Sequence, residues 1–137
     1  MVPKIYPMVA AVVVIFDPDD RFRQLLHSLV EQVSKIWIID NQPNSVSCSF
    51  IKDEQIDQRD NITLLENKKN LGLATAQNQG IKLALADGVD WVLLLDQDSI
   101  LDKDFVKNML NSAVKYKNKD DIGFLTPRHE FDDGRPS

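Results

Sequence analysis

The stretch Trp91-Val92-Leu93-Leu94-Leu95-Asp96-Gln97-Asp98-Ser99 constrains this chain more than any other: five apolar residues run straight into two carboxylates. A run that is apolar on both faces of a strand belongs in the middle of a sheet. Such a strand ends where the sheet meets solvent, and in open α/β sheets that carboxyl end is where ligands bind. Asp96 and Asp98 are therefore expected at a rim, one strand period apart. Two oxygen donors that close suit a hard divalent cation.

The rest of the chain reads as alternating strands and helices. Val9 to Phe16 is continuous, rich in β-branched residues and long enough for a strand buried on both faces. Asp17-Pro18-Asp19-Asp20 is a turn that places negative charge at the start of a helix, Arg21 to Val33. That helix carries Phe22, Leu25, Leu26, Leu29, Val30 and Val33 on one stripe, with His27 off it on the surface. Ile36 to Ile39 is a second strand ending in Asp40-Asn41, and Gln42 to Asp60 is a polar loop with a short helical turn at Ile51 to Ile56. A third strand, Ile62 to Leu65, leads through Asn67-Lys68-Lys69-Asn70-Leu71-Gly72 into a second helix, Leu73 to Ala86, closed by Asp87-Gly88. Val89 to Asp96 is the fourth strand, Asp102 to about Lys117 a third helix, and Ile122 to Leu125 a fifth strand.

This alternation predicts an α/β fold: three layers around a mostly parallel sheet. Right-handed crossovers place the first and fourth strands side by side, so Phe16-Asp17, Asp40 and Asp96 are expected on one rim. With 137 residues, 43% of them hydrophobic, the chain is expected to be a single domain.

The formal charge of -5 argues against a nucleic acid partner, which would require clustered Lys and Arg. Cys48 is the only cysteine, which rules out an intrachain disulfide and fits a reducing compartment; His27 and His129 are far apart, so a zinc-type cluster is not expected. The apolar run Met8 to Phe16 is too short to span a bilayer, and charge follows it where a signal peptide needs small residues.

Three constellations could carry chemistry. Asp96 and Asp98 could hold Mg²⁺ or Mn²⁺ together with phosphate oxygens, or Asp98 and Ser99 could simply shape a turn. An EF-hand beginning at Asp96 fails, because its sixth and twelfth places are Leu101 and Lys107. A strand ending in Asp-x-Asp also suits a haloacid-dehalogenase-like phosphatase with Asp96 as nucleophile, although that motif normally lies on a first strand. The stretch Asn70 to Gly80 puts Gly72 and small residues at a helix start, where backbone amides can meet an anion. Asn78 lines up with Ala74, Ile81 and Leu85, so it is expected to point inward and pin the preceding loop, while Gly80 allows close packing. Asp40-Asn41 stands where an α/β sheet commonly contacts a ribose or base, although taken alone the pair reads more simply as a strand-end turn.

Val14-Ile15-Phe16-Asp17-Pro18, Asp40-Asn41, Asn70-x-Gly72-x-Ala74-x-Ala76-x-Asn78-x-Gly80 and Leu94-Leu95-Asp96-Gln97-Asp98-Ser99 together resemble the donor-binding half of family 2 glycosyltransferases with the GT-A fold. Gln between the aspartates is most similar to the rhamnosyltransferase-like branch. The resemblance covers roughly residues 8 to 127. It implies the Rossmann-like half of a GT-A fold and a nucleotide-diphosphate-sugar donor, dTDP-rhamnose or a UDP-sugar, whose sugar passes with inversion to a glycan or lipid-linked acceptor. It further implies that backbone near Phe16 and the Asp40 side chain hold the base. Asp96 approaches the ribose, Asp98 takes the metal, and Asn70, Gly72 and Asn78 line the nucleotide pocket. The family's usual Thr-Tyr-Asn after the first strand is Ile15-Phe16-Asp17 here.

Family members carry an acceptor-binding half with the general base after the donor half. This chain is accordingly expected to be truncated before it, with the base outside it and the exposed face open to self-association. A cytoplasmic setting, or a peripheral one at the inner face of the membrane, and a role in polysaccharide synthesis follow from the resemblance. A non-catalytic nucleotide-binding module on the same fold is the alternative outside enzymology.

Overall fold

The computed structural model of the chain describes residues 7–43, 51–52, 55, 59–116 and 118–128. It divides into two compact units, Met1–Lys103 and Asp104–Ser137. The first contains β1 (Val9–Ile15), α1 (Asp20–Val30), β2 (Lys35–Asp40), β3 (Ile62–Glu66), α2 (Leu73–Ala86) and β4 (Trp91–Asp96). The four strands form one parallel sheet in the order β3-β2-β1-β4. The second unit contains α3 (Phe105–Lys115) and a turn of 3-10 helix, Lys119–Asp121. Val106 and Ala113 are buried on the apolar stripe of α3.

β1 takes the centre because it is the strand whose two faces are both filled. Ala11, Val13 and Ile15 meet Phe22, Leu25, Leu26 and Leu29 of α1 on one side, joined by Ile36 and Ile38. Each fully buried side chain of that size contributes roughly 1.5–3 kcal/mol. On the other side Val12 packs with Ile39 and with Ala76 of α2, flanked by Leu83 and Val92. The α/β three-layer expectation holds. The aliphatic run in the centre and the amphipathic stripe on α1 are what dictate it.

α1 starts where its charges favour it. Asp19 is the N-cap: Oδ1 accepts from the backbone N of Arg21 at 2.9 Å, and Oδ2 accepts from the Arg21 guanidinium at 2.9 Å. The hydrogen bond from the Arg21 side chain, followed by that from its backbone, holds the Asp19 carboxyl below its ordinary value of 3.8. α2 ends on Asp87, with Gly88 at φ 75, the left-handed conformation that glycine adopts without strain.

Several sequence expectations are corrected. β4 is an edge strand of the described sheet, not a middle one, and Leu94 is 43% exposed. No residue of β4 is fully buried, so its apolar run reports neither a strand on each side nor complete cover on its faces. Ile122 to Leu125 forms no strand; Phe124 there is 82% exposed. Half of the proposed turn at Ile51 to Ile56 lies outside the described residues; positions 51 and 52 are helical, and Ile51 is buried in the α1-side core.

The rotation of α2 is also corrected. Its buried line is Ala76, Gly80 and Ala84, whereas Leu85 is 61% exposed and Asn78 is exposed. Small residues let the helix backbone approach β1, so the smallest side chains, not the largest, mark the contact face. At Gly80 a Cβ would overlap Val12 Cγ1 and stand 3.0 Å from its Cγ2.

Two outcomes follow. Gly80→Ala is expected to lower the free energy of unfolding by about 1–2 kcal/mol, an overpacking cost partly offset by helix propensity. In urea titrations, Val12→Ala in the same chain should recover part of that loss. A full additive loss in the double variant would show that Val12 is not what Gly80 accommodates. Because the folded-state pKa of Asp19 is depressed, its contribution is complete above 3.8 and is lost as pH falls through the lower folded value. The stability difference between the native chain and Asp19→Asn should therefore be flat near neutrality and shrink only below the ordinary carboxylate range, as followed by acid unfolding.

Candidate functional site

Parallel pairing brings the carboxyl ends of the strands to one rim. Ile15 lies opposite Asp40, Val14 opposite Asp96, and Asp40 opposite Glu66. The predicted rim shared by Phe16-Asp17, Asp40 and Asp96 is present. Strand alternation separates the acids by face: Asp40 follows Ile36 and Ile38 on the α1 side, and Asp96 follows Val92 on the α2 side. Asp40 is 2% exposed and its Oδ1 accepts from the backbone N of Gln42 at 3.0 Å. Asp96 and Asp98 are exposed.

Asp96 to Ser99 is a tight turn in which the N of Ser99 donates to the carbonyl of Asp96 at 3.1 Å. Asp98 and Ser99 thus lie in a turn, as one of the two sequence readings has it. Asp98 Oδ2 lies 3.7 Å from a guanidinium nitrogen of Arg21, with both side chains about half exposed. Among the described residues there is no cluster of three or more His, Cys, Asp or Glu side chains able to hold a metal.

Side-chain carboxamides extend the sheet where its backbone ladders stop. The Phe16 N–H donates to Gln97 Oε1 at 2.8 Å and Gln97 Nε2 donates to the Phe16 carbonyl at 3.0 Å. On the other flank the Asp17 N–H donates to Gln42 Oε1 at 3.0 Å. The turn held between these glutamines is strained, with Asp17 at φ 47. Gln97 thereby bonds both the N–H and the carbonyl of Phe16. What Phe16 offers is its ring, 48% exposed.

Asn41 organises the third side of the rim. It is 4% exposed. Its Nδ2 donates to Asn70 Oδ1 at 3.0 Å and to the Gly72 carbonyl at 3.3 Å. Its Oδ1 accepts from the Leu71 N at 3.1 Å and from Asn67 Nδ2 at 3.2 Å. That uses both donors and both acceptor sites of a primary amide. Asn67 and Gln79 exchange a further reciprocal pair at 2.8 and 3.0 Å. Asn70 Oδ1 also accepts from the Gly72 N at 2.9 Å, and Gly72 sits at φ 84 as N-cap of α2 with no side-chain cap of its own.

Asn70 and Gly72 are thereby brought to the rim with Phe16, Asp40, Asp96 and Asp98. Asn78 is not joined to them by this network: it stands on the exposed side of α2, and the inward pin expected of it is supplied by Asn41, Asn67 and Gln79. Those residues, with Gln42 and Gln97, were not assigned positioning roles from sequence. Their partners are as much as 81 residues away, and a neutral amide has no periodicity. For all but Gln79, which lies within α2, the available signal was a position one or two residues beyond a strand end.

Asn41→Ala should cost about 2–4 kcal/mol in urea unfolding, since it leaves several rim groups without partners. Limited proteolysis of the 67–72 loop should accelerate with it. A loss under about 0.5 kcal/mol, the scale of an ordinary surface change, would mean that the loop is held by other contacts.

A family model described as Glycosyl transferase family 2 matches residues 10–134. The dTDP-rhamnosyl transferase RfbF of Shigella flexneri is 29% identical over 100 residues, covering 72% of this chain and 32% of that protein. The crystal structure of S. aureus TarS 1-349 superposes with a TM-score of 0.56 at 17% identity, covering 78% of this chain and 32% of that one, a likeness of fold. The chain thus spans about a third of the length of each.

Proposed function

This chain belongs to glycosyl transferase family 2, and we propose that its sheet rim is the site for a nucleotide-diphosphate-sugar donor in an inverting sugar transfer. The observation that carries this reading is the convergence of the buried Asp40 carboxylate, the exposed Phe16 ring and the Asp96–Asp98 turn on adjacent parallel strand ends. A carboxylate is an acceptor for the imide N–H of a pyrimidine base, and an exposed ring gives the base a flat apolar partner. Asp96 is assigned to the ribose. The start of α2, with glycine as its cap, adds unshielded backbone amides beside the rim, which favour an anion.

A divalent cation fits the donor set. The turn offers exposed hard oxygen ligands, and Asp98 already faces a positive group in Arg21. Mg²⁺ and Mn²⁺ sites commonly combine one or two carboxylates with substrate phosphates, so no third protein acid is required. Asp98, with Asp96 beside it, would hold the cation. When bound, it would neutralise charge on a departing nucleoside diphosphate. The residues of the chain then have separable tasks. Asp40 and Phe16 select the base, the carboxamide-held loops keep their geometry, and the Asp96–Ser99 turn presents the diphosphate end.

dTDP-rhamnose is the favoured donor because the similar Shigella protein is named a dTDP-rhamnosyl transferase, with a UDP-sugar second. The acceptor is a glycan or lipid-linked glycan on the cytoplasmic side, where nucleotide-activated donors are found. The phosphatase alternative receives no support from the family match.

Titration calorimetry with dTDP and UDP, each with and without Mn²⁺, tests the reading. Binding should be stronger with the ion, and Asp98→Ala should remove that enhancement while leaving the melting temperature unchanged. Affinity for neither nucleotide under either condition would sink the proposal.

A further inference from the structure

Between the two carboxylates of the rim turn lies a residue for which the donor reading supplies no task. Gln97 is partly buried, and its carboxamide closes a two-bond ring with the backbone of Phe16, at 2.8 and 3.0 Å. The β1–β4 ladder ends at the pair Val14–Asp96. Beyond that pair the strands turn separately, β1 through Asp17 at φ 47 and β4 through the Asp96–Ser99 turn. The Gln97 ring joins the two turns directly.

We propose that Gln97 is a positioning residue that couples the two ends of the donor site, holding the cation-binding Asp98 in register with the Phe16–Asp17 turn beneath the base. This rests on the donor-site reading above. The chemistry of the side chain fits the task. Phe16 presents an N–H and a carbonyl, so its partner must accept and donate through neighbouring atoms, which a primary carboxamide does. Glutamate would set an acceptor against the Phe16 carbonyl and add a third charge to the turn. Lysine would set a donor against the N–H. A shorter asparagine would not span the same gap. The amide is neutral, so it ties the turn down without competing for the cation or repelling a diphosphate. Gln42 makes the matching contact from the β2 side, through one bond to the Asp17 N–H. The strained turn is therefore gripped from both neighbouring strands; the Gln97 grip leads to Asp96 and Asp98, and the Gln42 grip to Asp40, whose Oδ1 accepts from the Gln42 N.

With the two turns locked together, a cation at Asp98 and a base at Phe16 influence each other through a rigid connection. Their binding free energies are then linked, and the link is reciprocal. Without the carboxamide, each end binds on its own terms. A residue that only stabilised the fold would weaken both ends alike.

The test uses Gln97→Met, similar in length and unable to form either bond. Affinities for UDP and dTDP with and without Mn²⁺, and for the corresponding nucleosides without metal, are compared with the native chain, with melting temperatures measured alongside. In the native chain Mn²⁺ should tighten nucleoside diphosphate binding about 5–150-fold, the usual range of site-to-site coupling. In Gln97→Met that enhancement should fall below about twofold, well under that range, while nucleoside affinity stays within about twofold of native. Should Gln97→Met unfold at the assay temperature, Gln97→Asn carries the comparison: it stays neutral and polar but does not span the gap to Phe16, and should show the same collapse of the enhancement. Native-like enhancement in a folded variant overturns the coupling and leaves the donor site standing. Equal loss of nucleoside and diphosphate affinity also overturns it, by reducing Gln97 to a support. No nucleotide binding by the native chain overturns the donor site and this inference together.

Discussion

The central position of β1 is the constraint on which the remaining structure depends. Its backbone is paired in parallel on both edges, to β2 and β4, and its side chains fill both layers of the core. A parallel neighbour on each side fixes where three strands end relative to one another. Ile15 opposite Asp40 and Val14 opposite Asp96 are consequences of that pairing. Slipping either pair by one residue would turn the apolar residues of a neighbour away from their layers, so the cost of a misplaced rim is paid by the whole core. The close approach of α2 through Ala76, Gly80 and Ala84 adds to this rigidity from one face, and α1 adds from the other.

Past the last ladder bonds the backbone has to turn, and there the structure changes its means of attachment. Gln97, Gln42, Asn41, Asn67, Asn70 and Gln79 bond loop backbone and one another through side-chain amides. A carboxamide carries donor and acceptor together, so it can replace a peptide group in a sheet-like pair, as Gln97 does against Phe16. It also carries no charge. Around carboxylates at positions 40, 96 and 98, charged pins would either neutralise the acids or repel whatever they bind. Neutral amides fix the geometry and leave the charge pattern to the acids.

The sheet and its helices were largely legible because they rest on local, repetitive signals. α1 could be read from a stripe of large apolar residues, and β1 from an uninterrupted β-branched run. The limits of α2, Leu73–Ala86, were legible from its small residues and Asp87-Gly88, but its rotation was not. Periodicity weighted by side-chain size points to Ile81 and Leu85, whereas contact distance is set by the smallest residues, and Leu85 faces solvent. At the rim, the acids were legible as types at strand ends, while the amides that place them were not. Asn41 and Leu71 are 30 residues apart, and Phe16 and Gln97 are 81 apart. Such bonds exist only after the strands have aligned, so no window along the chain contains both partners. Ile122 to Leu125 shows the opposite failure, a β-prone segment that forms no strand.

The charge of the rim bears on what it can bind unaided. The chain carries a formal charge of -5, and the Asp96–Ser99 turn contributes two exposed carboxylates. An anionic ligand approaching that turn is repelled at short range, and water screens this only partly once the ligand displaces it. Arg21 is the nearby cation, but its guanidinium is held by Asp19 at 2.9 Å and reaches Asp98 only at 3.7 Å. Its charge is therefore shared between two acids before any ligand arrives. A phosphate-bearing donor consequently needs positive charge brought with it, whereas an uncharged nucleoside does not. In the proposed donor site that asymmetry would separate the two halves of the rim: the Asp40–Phe16 half would act on a neutral base by shape and hydrogen bonding, and the Asp96–Asp98 half would attract phosphate only with a cation present. Under that proposal, the Gln97 connection between the halves would let the cation end respond to whether the base has been accepted.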